Sequence, residues 1–95
     1  MSWQVDVYEA VMNCFIPYCD EDSINKLIDR IIEKDLTEKQ SEILFARFEA
    51  KQKVKDLAQY YGITSQSISR LEKRALWKIE RGINKVDASK IINNV

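Results

Sequence analysis

A helical apolar pattern fills residues 53–79 and is broken once, at Gly62. Before the break Val54, Leu57 and Ala58 fall at i, i+3 and i+4. After it Ile68, Leu71, Ala75, Leu76 and Ile79 take up the helical spacing again. Glycine suits the left-handed backbone that ends a helix, and Thr64 can cap the next one by accepting a hydrogen bond from its free N–H groups. The small Ala58 lets the two helices approach closely, and Ile63 and Ile68 plug the corner between them. Two helices joined by so short a turn form a helix-turn-helix, whose second helix can lie in a major groove. A helical hairpin in an unrelated bundle would leave the same pattern.

The rest of the chain also reads as helix. With two glycines and one proline in 95 residues, and little β-branched or aromatic alternation, an all-α fold is expected. The expected architecture is a small bundle of about five helices. Ser2 can cap a first helix running to about Phe15 and stopped by Pro17. The acidic stretch Asp20-Glu21-Asp22-Ser23 opens a second, whose Ile24, Leu27, Ile28, Ile31 and Ile32 make one apolar stripe. Thr37 and Gln40 form a capping box for a third, with Ile43, Leu44 and Phe48 inward and an end near Glu49. A linker, Ala50-Lys51-Gln52, leads to Lys53–Tyr61, and the fifth helix follows Thr64. Three parts are expected: an acidic two-helix lobe over 1–35, the helix-turn-helix domain over 36–82, and a tail over 83–95 that either continues as helix or frays.

Counting removes several chemistries. There is no histidine, which eliminates imidazole acid–base catalysis and nearly every zinc enzyme. Cys14 and Cys19 cannot close a tetrahedral zinc site without a second chain, and reduced thiols are expected of them. No nucleophile–base pair or metal cluster is visible, so neither an enzyme nor a cofactor is expected. No apolar run approaches the roughly 18 residues that span a membrane, and the N-terminus has no basic signal-peptide start. A cytoplasmic protein is the expectation.

The formal net charge of zero conceals a polarised chain. Residues 1–50 carry five Lys/Arg against eleven Asp/Glu, whereas residues 51–81 carry eight Lys/Arg against Asp56, Glu72 and Glu80. Such asymmetry is a hint of nucleic-acid contact by the basic part, although solvated helix faces would give it too. Within that part Ser65, Gln66, Ser69 and Arg70 lie off the apolar stripe of the second helix. Glutamine pairs with adenine, arginine with guanine, and serine with either. Lys73, Arg74 and Lys78 follow on the same helix, placed for backbone phosphates.

These segments resemble a known family. Leu36-Thr37-Glu38-Lys39-Gln40, then Ile43-Leu44-Phe45-Ala46-Arg47-Phe48, then Gly62-Ile63-Thr64 with Ile68-Ser69-Arg70-Leu71-Glu72-Lys73-Arg74-Ala75-Leu76-Trp77-Lys78-Ile79, are similar to successive blocks of region four of the sigma-70-family RNA polymerase sigma factors. The Glu-x-Arg-Ala-Leu-x-Lys run after the turn is more specific than a generic helix-turn-helix. The spacing between the blocks resembles that of the smaller, extracytoplasmic-type sigma factors.

The resemblance implies binding to a −35-type promoter element by a domain docked on the β flap of RNA polymerase core, as a split sigma subunit or a small activator. It implies base contacts for Ser65, Gln66, Ser69 and Arg70, and phosphate contacts for Lys39, Arg47, Lys53, Thr64, Lys73 and Arg74. Arg74 and Lys78 match basic positions that in the family meet neighbouring activators. Phe45 and Trp77 replace charged positions, so they and Lys78 are expected to face a protein, either the N-terminal helices or a partner. Ser65-Gln66 stands where the family has Arg-Glu, and Ser69-Arg70 where it has Arg-Gln. Recognition of the ordinary −35 hexamer is therefore not carried over. Nothing here resembles the sigma region that melts DNA, so these residues alone are not expected to open a promoter. The acidic lobe is expected to bind a second protein through Trp3, Val7, Val11 and Phe15, with a purely structural first helix as the competing view. Two other readings stay open: a helix-turn-helix regulator independent of polymerase, and an RNA- or protein-binding module similar to small signal-recognition-particle-associated proteins.

Overall fold

The Ile24–Ile32 stripe forms the floor of the molecule. In the computed structural model, which describes residues 2–12 and 21–93 with side chains as far as Lys85, it lies on a helix spanning Glu21–Asp35 (α2). Ile24, Ile28, Ile31 and Ile32 are buried and Leu27 is half-buried. The preceding helix is Trp3–Met12 (α1), and the later ones are Glu38–Phe48 (α3), Val54–Tyr61 (α4) and Ser65–Asn93 (α5). Every described element is an α-helix, as the sequence leads one to expect.

The caps form as read. The Ser2 hydroxyl accepts from the Val5 N–H at 3.3 Å. Thr37 Oγ1 accepts from the Gln40 N–H at 3.2 Å while Gln40 Oε1 accepts from the Thr37 N–H at 3.1 Å, so both halves of the capping box are made. Asp20, Cys14, Cys19, Phe15 and Pro17, and with them the expected end of the first helix and the state of the thiols, lie outside the described residues.

Two apolar clusters share α3 and α5. The larger joins α1 and α2 to Leu44, Ala75, Ile79 and Ile83; the smaller holds Ile43, Leu57, Ala58 and Ile68 together. Leu44 and Ile43 are neighbours on α3 and Ala75 and Ile68 lie two turns apart on α5, so these two helices carry both cores. The expected tail boundary at residue 83 does not interrupt α5, which runs to Asn93 with Ile83 fully buried. Gly82 explains how α2 reaches that far. A Cβ there would stand 2.8 Å from Cδ1 and Cγ1 of Ile31, so glycine lets α2 press against α5.

The first helix corrects an expectation. Val5, Val7 and Tyr8 are buried, Val7 completely, and Trp3 and Val11 pack half-buried against the same core. Val7 is therefore committed to the core, while Trp3 and Val11 are half-buried against it; Phe15 is outside the described residues. The reason is arithmetic. The stripe of α2 and the faces of Leu44, Ala75, Ile79 and Ile83 need a cover, and α1 packs on α2, α3 and α5 to supply it. Among the described residues no helix is long and apolar enough to cross a membrane.

Candidate nucleic-acid interface

Gly62 makes the turn. Its φ of 68° is left-handed, its N–H turns back to the Ala58 and Gln59 carbonyls, and the Ile63 N–H reaches the Ala58 carbonyl at 3.1 Å. Thr64 then caps α5: its Oγ1 accepts from the Ser67 N–H at 3.1 Å and shares a hydrogen bond with the Ser67 hydroxyl at 2.9 Å. Beneath the turn the buried Leu57, Ala58 and Ile68 lock α4 and the first turns of α5 onto Ile43 of α3, with Ile63 and Leu71 packed around them. The orientation of the second helix of the motif is thus set by apolar packing.

What that helix presents is polar and basic. Ser65, Gln66, Ser69, Arg70 and Lys73 line one shallow concavity, with Ser69 half-buried and the others exposed. Arg74 continues the exposed basic run. No carboxylate lines this concavity. Hydroxyl, amide and guanidinium groups held together on a helix N-terminal half can offer donors and acceptors to base edges, and Lys73 and Arg74 can meet phosphates alongside.

The remaining expected residues are spread around this face. Lys53 is the N-cap of α4 and makes no side-chain capping bond, so its exposed ammonium stands at that helix start. Lys51, just before it, adopts a φ of 57° and places Nζ 3.3 Å from Oδ2 of Asp6. Arg47 is turned inward: Nε donates to Oε1 of Glu72 at 3.2 Å and Nη1 donates to the Gln52 carbonyl at 2.8 Å. Lys39 sits over the Tyr61 ring, 4.8 Å from its centre. The Tyr61 hydroxyl donates to Oε2 of Glu42 at 3.1 Å, and burial, reinforced by that carboxylate, raises its pKa above the ordinary 10.0.

The three residues expected to face a protein have three fates. Phe45 meets the N-terminal helix, its ring edge-on to Trp3 with centres 5.0 Å apart. Lys78 is half-buried and donates to Gln40 at 2.9 Å. Trp77 is 55% exposed, with the Arg81 guanidinium 4.8 Å over its ring. Sequence reading missed the partners Glu72 and Gln52 of Arg47. Their separations of 25 and five residues carry no periodic signal; only the Arg and Glu of the two resembling blocks hint that they belong together.

A polar and basic face on the second helix of a helix-turn-helix is the arrangement that DNA-binding modules of this class present to a major groove. The particular family follows from comparison with protein families: the model for sigma-70, region 4 matches residues 34–81, just over half the chain, and the chain belongs to that family. No curated protein and no solved structure matches it significantly.

Proposed function

We propose that this chain is a promoter-reading domain that binds a −35-type element together with RNA polymerase core. Ser65, Gln66, Ser69 and Arg70 face base edges, while Lys53, Thr64, Lys73 and Arg74 bind the flanking phosphates. The observation that carries this reading is the single carboxylate-free concavity formed by Ser65, Gln66, Ser69, Arg70 and Lys73 at the start of α5. Family membership supplies the expectation of DNA, and of polymerase beside it. Trp77, 55% exposed on α5, is the side chain assigned to a neighbouring protein.

Selection of duplex sites from a random pool tests the base contacts. Wild type should enrich a defined, non-palindromic site, and Arg70→Ala should lose preference at one or two base pairs, each worth about 1–3 kcal/mol of discrimination. Lys53→Ala should weaken all duplexes alike and flatten the log–log salt slope by about 0.9. Identical selected sites from wild type and Arg70→Ala would remove the base-reading role. Copurification with polymerase core tests the partner, and enrichment of a palindromic operator without core would favour a polymerase-independent regulator.

A further inference from the structure

One guanidinium joins the two DNA-facing segments of the motif. Arg47 lies in the last turn of α3, and its two hydrogen bonds run in different directions, to Glu72 on α5 and to the Gln52 carbonyl immediately before the Lys53 cap. The loop it grips is folded back on α3: the Ala50 N–H reaches the Phe45 carbonyl at 3.0 Å and the Gln52 N–H the Ala46 carbonyl at 2.9 Å. Glu72 directly precedes Lys73, which lines the concavity together with Arg70. The Arg47 and Glu72 side chains are 31% and 17% exposed, so this pair is shielded more than a surface ion pair and is costly to break from one side.

We infer that Arg47 is a positioning residue: clamped by Glu72, it fixes the Lys51–Lys53 loop at a set distance from the recognition helix and does not itself bind phosphate. This rests on the DNA-binding reading of the face above. Phosphates along a duplex have fixed separations, so Lys53 at the end of the loop and side chains on α5 can engage together only if the gap between their two backbones is held. The Arg47 bonds span that gap. The Arg47 guanidinium already commits Nε and Nη1 to a carboxylate and a main-chain carbonyl, so its charge is partly neutralised and its plane is fixed before any external anion arrives.

The two roles for Arg47 give opposite signs in one variant. If Arg47 bound phosphate, Glu72 would compete for it, and Glu72→Ala would tighten DNA binding and steepen the salt slope by about 0.9. Under the positioning role Glu72→Ala loosens the loop, so binding to a mixed-sequence duplex weakens and the slope becomes shallower by about 0.9 as the Lys53 contact is lost. Glu72→Gln, whose amide oxygen still accepts from Nε, retains most of the wild-type affinity and slope. Fluorescence anisotropy over a salt series on the full chain reads both quantities. Tighter binding by Glu72→Ala, or Glu72→Gln behaving like Glu72→Ala, overturns the inference.

Amide hydrogen exchange provides a readout that needs no DNA. In Glu72→Ala the Gln52 N–H should exchange faster while the Ile79 N–H, deep in the larger core, keeps its protection. Unchanged exchange at Gln52 overturns the clamp. Failure of the wild-type chain to bind any duplex would instead sink the DNA-binding reading, with the exchange result still deciding whether Arg47 holds the loop.

Discussion

Oε1 of Gln40 accepts two hydrogen bonds, one from the Thr37 N–H at 3.1 Å and one from the Lys78 ammonium at 2.9 Å. Gln40 is the one buried polar side chain among the described residues, and it ties the cap of α3 to the middle of α5. Gln40→Ala removes half of the capping box and strips both donors of their acceptor. It should cost about 1–3 kcal/mol in denaturant unfolding. Lys78→Met leaves the capping box whole and keeps the apolar stem, so its cost should stay below about 1 kcal/mol. Equal losses for the two variants would show that the ammonium, and not the cap, dominates this junction.

The two glycines answer to different constraints, and one pair of variants separates them. At Gly62 an added methyl meets nothing within 4 Å, so Gly62→Ala pays only for left-handed backbone, about 1–2 kcal/mol. At Gly82 the backbone is helical and alanine would gain about 1 kcal/mol of propensity, but its Cβ would collide with Ile31. Overpacking of that kind costs about 1–3 kcal/mol, so Gly82→Ala should be neutral to destabilising. In an Ile31→Ala background the collision is gone, and the same substitution should become stabilising. Thermal unfolding of the four proteins completes the cycle, and additive effects would refute the steric account.

The contrast between these glycines marks what the sequence makes legible. Gly62 could be read because its role is local, a left-handed residue between two helical patterns, and the Thr37–Gln40 box and the Ile24–Ile32 stripe were readable for the same reason. The role of Gly82 needs Ile31, 51 positions earlier, and no local pattern announces it. The first helix was misread on similar grounds. Val5, Val7 and Tyr8 include neighbours that point differently on a helix, so no single apolar stripe marks it as a core element. It becomes buried because α2, α3 and α5 surround it on several sides. The basic face was legible as residue types off an apolar stripe, whereas the inward turn of Arg47 depended on Glu72 and Gln52 arriving beside it.

Tyr61 gives the fold a dependence on high pH. Burial first, and then the hydrogen bond and negative charge of Glu42, favour the protonated phenol in the folded chain. Because its folded pKa lies above the unfolded value of 10.0, Tyr61 contributes stability that is fully present below pH 10.0 and is lost as pH rises through the folded value. Glu42→Gln removes the carboxylate and leaves the burial, so the pKa should fall part of the way towards 10.0. Titration of the tyrosine ζ-carbon resonances by NMR reports it directly. An unmoved Tyr61 titration in Glu42→Gln would leave burial, with the neighbouring Tyr60, as the cause.

Whether α1 is a core element or a detachable lobe is decided by Val7. It is fully buried in the cluster that includes Leu44, Ile79 and Ile83, whereas Val11, one turn further on, is half-buried. Val7→Ala should cost about 2 kcal/mol from lost transfer energy and the cavity left behind, and Val11→Ala noticeably less. Against a total of about 5–15 kcal/mol for a domain of this kind, removing residues 1–12 altogether should abolish cooperative unfolding. It would uncover Ile79 and Ile83 and deprive Phe45 of its Trp3 contact. Circular dichroism on the truncated chain, with and without duplex DNA, provides the measurement. A truncated protein that still melts cooperatively and binds duplex as tightly as the full chain would make α1 dispensable to the fold and return its apolar residues to the role of a partner surface.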